Sequence, residues 1–156
     1  MRNIIAHCDG ACSGNPGIGG YAAILTCGKS ERIVRGHSVK TVTNNAMELK
    51  AVAEIINWLN KNQKEPCNIE IHTDSQYIID CTCTRLKDGS KKTSAWYKGR
   101  PNEVLWFEII QAGLKGKHKI TFVKVKAHNG DPYNERCDKM AKEECAKARH
   151  ELCKNG

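Results

Sequence analysis

Four acidic residues sit where packing alone would choose something else. Asp9 interrupts the apolar start of "NIIAHCDGACSG", and Asp74 closes the alternating stretch "CNIEIHTDS". Glu48 lies within "TNNAMELKAVAEIINWLN" and Asp138 within "NERCDKMAKEECAKARHELC", each adjoining apolar positions. A carboxylate taken out of water needs hydrogen bonds, a cation or a proton. Gathered in one place without matching cations, such groups repel one another unless hard divalent ions fill the space between them. Mg2+ suits an all-oxygen pocket, because it prefers oxygen ligands and keeps waters that substrate phosphates can displace. Two such ions about 4 Å apart can activate a water and stabilise the leaving oxygen in phosphodiester cleavage. Taken singly, each acid also has an ordinary reading: Asp9 with Gly10 as a turn, Asp74 as a helix cap, Glu48 and Asp138 as helix-surface charges.

The elements that must position these acids are legible from hydrophobic period. Residues 3–11 and 20–26 are apolar runs joined by the turn-rich "SGNPGIGG", and a third run over 31–39 predicts a meander. Met47, Ala51, Ile55 and Leu59 then recur every four residues, widened by Val52 and Ile56, which predicts an amphipathic helix capped by Thr43 or Asn44. Residues 67–75 alternate as a strand, and Ser75 can cap a helix beginning "QYIID". Residues 104–114 return to helix, 119–125 to strand and 134–153 to a long last helix, while 85–103 lack apolar periodicity and predict an irregular protrusion. This order predicts an α/β protein, a mixed sheet with helices on its faces. If the first and fourth strands are parallel neighbours, Asp9 and Asp74 emerge side by side at carboxyl ends, where open α/β sheets bind ligands. No internal repeat or interdomain linker is visible, so residues 1–156 are expected to form a single domain.

The chain carries 25 Lys and Arg against 17 Asp and Glu, a formal charge of +8 that favours a polyanionic partner such as nucleic acid. Nine cysteines are an odd number without paired zinc spacings, and we read them as reduced thiols serving packing or surface. No signal peptide opens the chain, and no apolar run approaches the ~20 residues that span a bilayer. The expectation is a soluble, cytoplasmic, monomeric protein that engages no membrane.

The stretches "CDGACSGNPGIGGYA", "TNNAMELKA", "IHTDSQYI" and "VKAHNGDPYNERCDKMA" occur in the order and at about the separations of type 1 ribonuclease H, which nearly the whole chain resembles. The resemblance implies a ribonuclease H-like fold: a five-stranded mixed sheet flanked by helices, with a basic protrusion. It implies an endonuclease that hydrolyses the RNA strand of RNA–DNA hybrids, leaving 5′-phosphate and 3′-hydroxyl ends; with no hybrid-binding domain or polymerase ahead of the nuclease in this sequence, a free-standing enzyme is expected. By match to the family's motifs, Asp9, Glu48, Asp74 and Asp138 would hold two Mg2+ ions, with Mn2+ as a substitute. His128, in "KAHNGDPYNER", resembles the family's mobile histidine, which would transfer a proton or help product depart.

Telling RNA from DNA requires neutral groups that test for the 2′-hydroxyl. Asn15, Asn44, Asn45 and Gln76 flank the acids and match polar positions the family places along the hybrid, while Thr43 resembles the hydroxyl that grips a DNA phosphate. Arg85, Lys87, Lys91, Lys92, Lys98 and Arg100, against Asp88 alone, resemble the family's basic protrusion and would bind phosphates. Trp96 and Tyr97 would stack on sugars or bases, or anchor the loop. Two features depart from the family: "YIIDCTCTRLKDG" lacks the usual tryptophans, and Asp88 falls where an amide would assist phosphate binding. Trp58 and Trp106, inside apolar helical patterns, are expected in the core. Two other functions fit the same architecture: a hybrid-binding module that no longer cleaves, and an integrase- or resolvase-like nuclease acting on DNA.

Overall fold

The three leading apolar runs pair as a meander in the computed structural model, which describes residues 1–84, 96–127 and 129–155. Strands β1 (Arg2–Gly14), β2 (Gly17–Cys27) and β3 (Ser30–Val42) are antiparallel neighbours. All three outrun their apolar stretches. Glycines lower the hydropathy of "SGNPGIGG" but still donate and accept along the ladder, so Gly14 pairs with Gly17 and the connection shrinks to Asn15 and Pro16. Strands β4 (Cys67–Thr73) and β5 (Lys119–Lys124) join in parallel, giving the order β3-β2-β1-β4-β5.

Helix α1 (Asn44–Asn62) starts at Thr43, whose Oγ1 accepts from the Ala46 N–H at 3.1 Å. Its buried stripe runs from Met47 to Leu59, and Glu48 is the one charged residue in it. Ser75 caps α2 (Gln76–Ile79) by accepting from the Ile78 N–H, and the chain continues through a π-helical turn over Asp80–Thr84. Helix α3 (Glu103–Glu108) likewise runs into a π-helical turn over Ile109–Leu114. Widened turns shift the hydrophobic period and leave no plain sequence signal. Helix α4 (Pro132–Asn155) ends the described chain.

Strand alternation divides the core between the two sheet faces. Ile4, Ala6 and Cys8 of β1, with Tyr21, Ala23 and Leu25 of β2, pack with α1, Trp106 and the turn after α3. Ala22 and Ile24 face the other way, onto Cys137, Met140 and Ala141 of α4. That contact is close because Gly20 carries no side chain. A Cβ there would lie 2.4 Å from the Ala141 carbonyl oxygen. Farther along α4, the buried Glu144 carboxylate receives Arg35 Nε at 2.6 Å, Lys147 Nζ at 2.7 Å and His37 Nδ1 at 3.3 Å, tying the helix to the edge strand β3. Trp106 is fully buried and Trp58 partly so, as their patterns predict. The described cysteine side chains form no disulfides, and no described helix is long and apolar enough to cross a membrane.

Candidate active site

The β1–β4 register His7↔His72, carried on by two residues, puts Asp74 beside Asp9 where the parallel pairing ends. Both acids therefore emerge at the carboxyl side of neighbouring strands. Glu48 arrives from the opposite side of β1, on the second turn of α1. Gly10 makes that approach possible, since a Cβ there would lie 2.6 Å from both Glu48 N and the Met47 carbonyl carbon. The result is tight: carboxylate oxygens of Asp9, Glu48 and Asp74 all lie within 4.8 Å of one another.

The electrostatics of this cluster are unfavourable without a counter-charge. Asp9 is 5% exposed and Glu48 9%. Burial, and then the Asp74 charge, push the Asp9 carboxyl up to about 7. Burial, and then Asp9, hold Glu48 well above the usual carboxylate range. Asp9 and Glu48 titrate as a coupled pair, so a proton held between them relieves part of this repulsion when no cation is bound. Asp9 Oδ1 also accepts from the Gly10 N–H at 2.9 Å, yet Glu48 Oε2 is buried with no hydrogen-bond partner. An orphaned buried oxygen beside two further carboxylates is a donor set that fits a hard divalent cation.

Asp138 stands apart from this trio. It lies nearly two turns into α4, its Oδ2 3.0 Å from Lys142 Nζ, and it is near enough that its charge helps raise Asp9. Asp74 is held by its surroundings: Lys124 Nζ donates to its carbonyl oxygen, and the Ser75 N–H donates to Thr73 Oγ1 in the same turn.

The other expected positions fall into four groups. Asn15, Thr43, Asn44 and Asn45 gather at the start of α1, all exposed, and Asn15 Oδ1 accepts from the Asn44 N–H at 3.2 Å. Gln76 is exposed at the start of α2, its Nε2 donating to Asp80 Oδ1 at 2.7 Å, and Lys98 is exposed. Trp96 packs edge-on against Trp106 at 5.2 Å and Tyr97 at 6.1 Å, so its ring belongs to an aromatic cluster over the core. Lys87, Lys91, Lys92 and His128 lie outside the described residues, as does most of the basic protrusion. Gly10 was legible only as half of a turn, because nothing in the sequence announces that a helix will press on β1.

Comparison with known proteins agrees with this architecture. The RNase H family model matches residues 1–146. A Ribonuclease H of Erythrobacter litoralis is 42% identical over 146 residues, covering 92% of this chain and 96% of that protein. LC9-RNase H1, a type 1 RNase H with the type 2 active-site motif, has a TM-score of 0.78 at 22% identity over 95% of this chain and 74% of its own. LC11-RNase H1, solved in complex with an RNA/DNA hybrid, has a TM-score of 0.70 at 21% identity over 93% and 98%. The two structural likenesses speak for the fold, and the family match with the curated relative for membership: the chain belongs to the ribonuclease H family of hydrolases.

Proposed function

We propose that this protein hydrolyses the RNA strand of RNA–DNA hybrids with two divalent cations, Mg2+ by preference and Mn2+ as a substitute, held by Asp9, Glu48, Asp74 and Asp138. The observation that carries the reading is the convergence of three carboxylates within 4.8 Å around an unpartnered, buried Glu48 oxygen. When bound, such ions activate a water and neutralise charge on the departing 3′ oxygen, leaving 5′-phosphate and 3′-hydroxyl ends.

The chain's own groups bind and orient the hybrid. Thr43 Oγ1 accepts the Ala46 N–H, which leaves its hydroxyl hydrogen to donate to a DNA phosphate. Gln76 spends its amide nitrogen on Asp80, and its carbonyl oxygen remains to accept from a 2′-hydroxyl. Asn15, Asn44 and Asn45 offer further neutral groups to the RNA strand. Lys98, with Lys87, Lys91 and Lys92, supplies sequence-independent attraction to phosphates, and Trp96 supports that segment through packing. His128 moves a proton or assists product departure. We read the enzyme as a single-domain, cytoplasmic monomer.

The test is to offer labelled RNA–DNA hybrid, duplex RNA and duplex DNA in one assay with Mg2+ and to identify the product ends. Cutting confined to the RNA of the hybrid, with 5′-phosphate ends, is the expected result. Binding without cutting would favour an inactive hybrid-binding module, and cutting of duplex DNA an integrase-like nuclease. Either outcome overturns the proposal.

A further inference from the structure

His7 lies two residues before Asp9 on the same face of β1, 7% exposed, in a position the sequence marks only as one more member of an apolar run. Its ring has two aromatic neighbours. Tyr133, in the first turn of α4, stacks on it at 4.6 Å with planes only 16° apart, and His72, its register partner on β4, lies at 4.7 Å with its ring tilted by 43°. His72 is itself held by Glu70, 3.2 Å from its Nε2. Cys137 Sγ donates to the His7 carbonyl oxygen at 3.4 Å, so two consecutive turns of α4 meet this one residue. Arg136 fixes the same part of the helix from outside: it binds Glu31 through two bonds of 2.9 and 2.7 Å, its guanidinium 5.8 Å from the Tyr133 ring centre.

Asp138 follows Cys137 directly, and it stands outside the compact trio of acids. Its distance from that trio is set by where the start of α4 rests on β1. We infer that His7 and Tyr133 are positioning residues: their stack sets the reach of Asp138 toward Asp9 and thereby the strength of divalent-ion binding. The inference rests on the assignment of Asp138 as a ligand proposed above. His7 Nδ1 is buried with no hydrogen-bond partner among the described residues, and the ring's contacts there are those with Tyr133 and His72. A phenyl ring should therefore replace it, and a methyl group should not.

The experiment measures Mg2+ binding by calorimetry without hybrid, and kcat and KM with hybrid, for H7A, H7F, Y133A, Y133F and D138N. Measurements are made below the unfolding transition of each variant. Loss of an aromatic pair is worth a roughly 2- to 10-fold change in an equilibrium constant. H7A and Y133A should weaken Mg2+ binding by that factor and lower kcat at limiting Mg2+ with KM unchanged, while H7F and Y133F bind as the parent does. Tyr133 is partly exposed, so Y133A keeps the test decisive if H7A fails to fold. Parent-like binding by Y133A, or impairment of H7F equal to that of H7A, overturns the inference. D138N separates the two levels: unimpaired, it refutes Asp138 as a ligand and the stack's role with it; impaired beside a parent-like Y133A, it refutes the stack's role alone.

Discussion

Replacing Asp9 with Asn should make the metal-free protein more stable while abolishing its activity. In the folded state burial and Asp74 raise the Asp9 carboxyl from 3.8 to about 7. Because the folded state holds this proton more tightly than the unfolded chain, stability is full below about pH 4 and falls as pH rises through about 7. At 1.36 kcal/mol per pH unit the loss is on the order of 4 kcal/mol, an upper limit for what Asn restores because its amide must also be desolvated. For a chain of this length that corresponds to a Tm gain of up to about 8–16 °C. The assay is thermal or denaturant unfolding of parent and D9N with a chelator present, at about pH 4 and about pH 8. The gap should be small at the lower pH and wide at the higher. Added Mg2+ should then raise the Tm of the parent more than that of D9N, since a ligand bound only by the folded state stabilises it. An equal gap at both pH values would refute the claim that uncompensated charge at Asp9 strains the fold.

Other consequences are as specific. E48Q and D74N should lose more hybrid cleavage than the roughly 10- to 100-fold typical of groups that merely support a metal ligand, read from kcat in Mg2+. G10A should cost about 1–3 kcal/mol and depress activity, because its Cβ meets Glu48 N and the Met47 carbonyl carbon at 2.6 Å; unfolding and turnover measured together check this. T43A removes the α1 cap and should cost about 1 kcal/mol in denaturant unfolding. His37 lies between Glu144 and Glu151, and its bonds to both carboxylates, Glu151 first, raise its pKa above 6.5. H37Q should therefore destabilise the protein below about pH 6.5, with the difference fading as pH rises through the raised value.

The parts of this account that were legible in the sequence are those governed by period. Glu48 announced itself as one acid in an apolar stripe, and the side-by-side placement of Asp9 and Asp74 followed from reading β1 and β4 as parallel neighbours. Thr43 and Ser75 cap the helices their hydroxyls predict. What escaped depends on contacts between distant segments. Helical spacing puts Asp138 one turn from Lys142 and says which side of α4 faces the sheet, but not how the helix is registered along it, so it could not show Asp138 outside the trio. The long meander strands were hidden because glycine weakens the hydrophobic signal without weakening backbone pairing. The stack of His7 on Tyr133 has no local signature at all, since the two rings meet only once β1 and α4 are packed.

The most direct test is the anomalous scattering of crystals grown with Mn2+ and hybrid, using a variant slow enough to trap the complex. The account predicts two peaks, each about 2.2 Å from carboxylate oxygens, shared among Asp9, Glu48, Asp74 and Asp138. Peaks elsewhere, or a hybrid bound and cut with no ion among these acids, would contradict it.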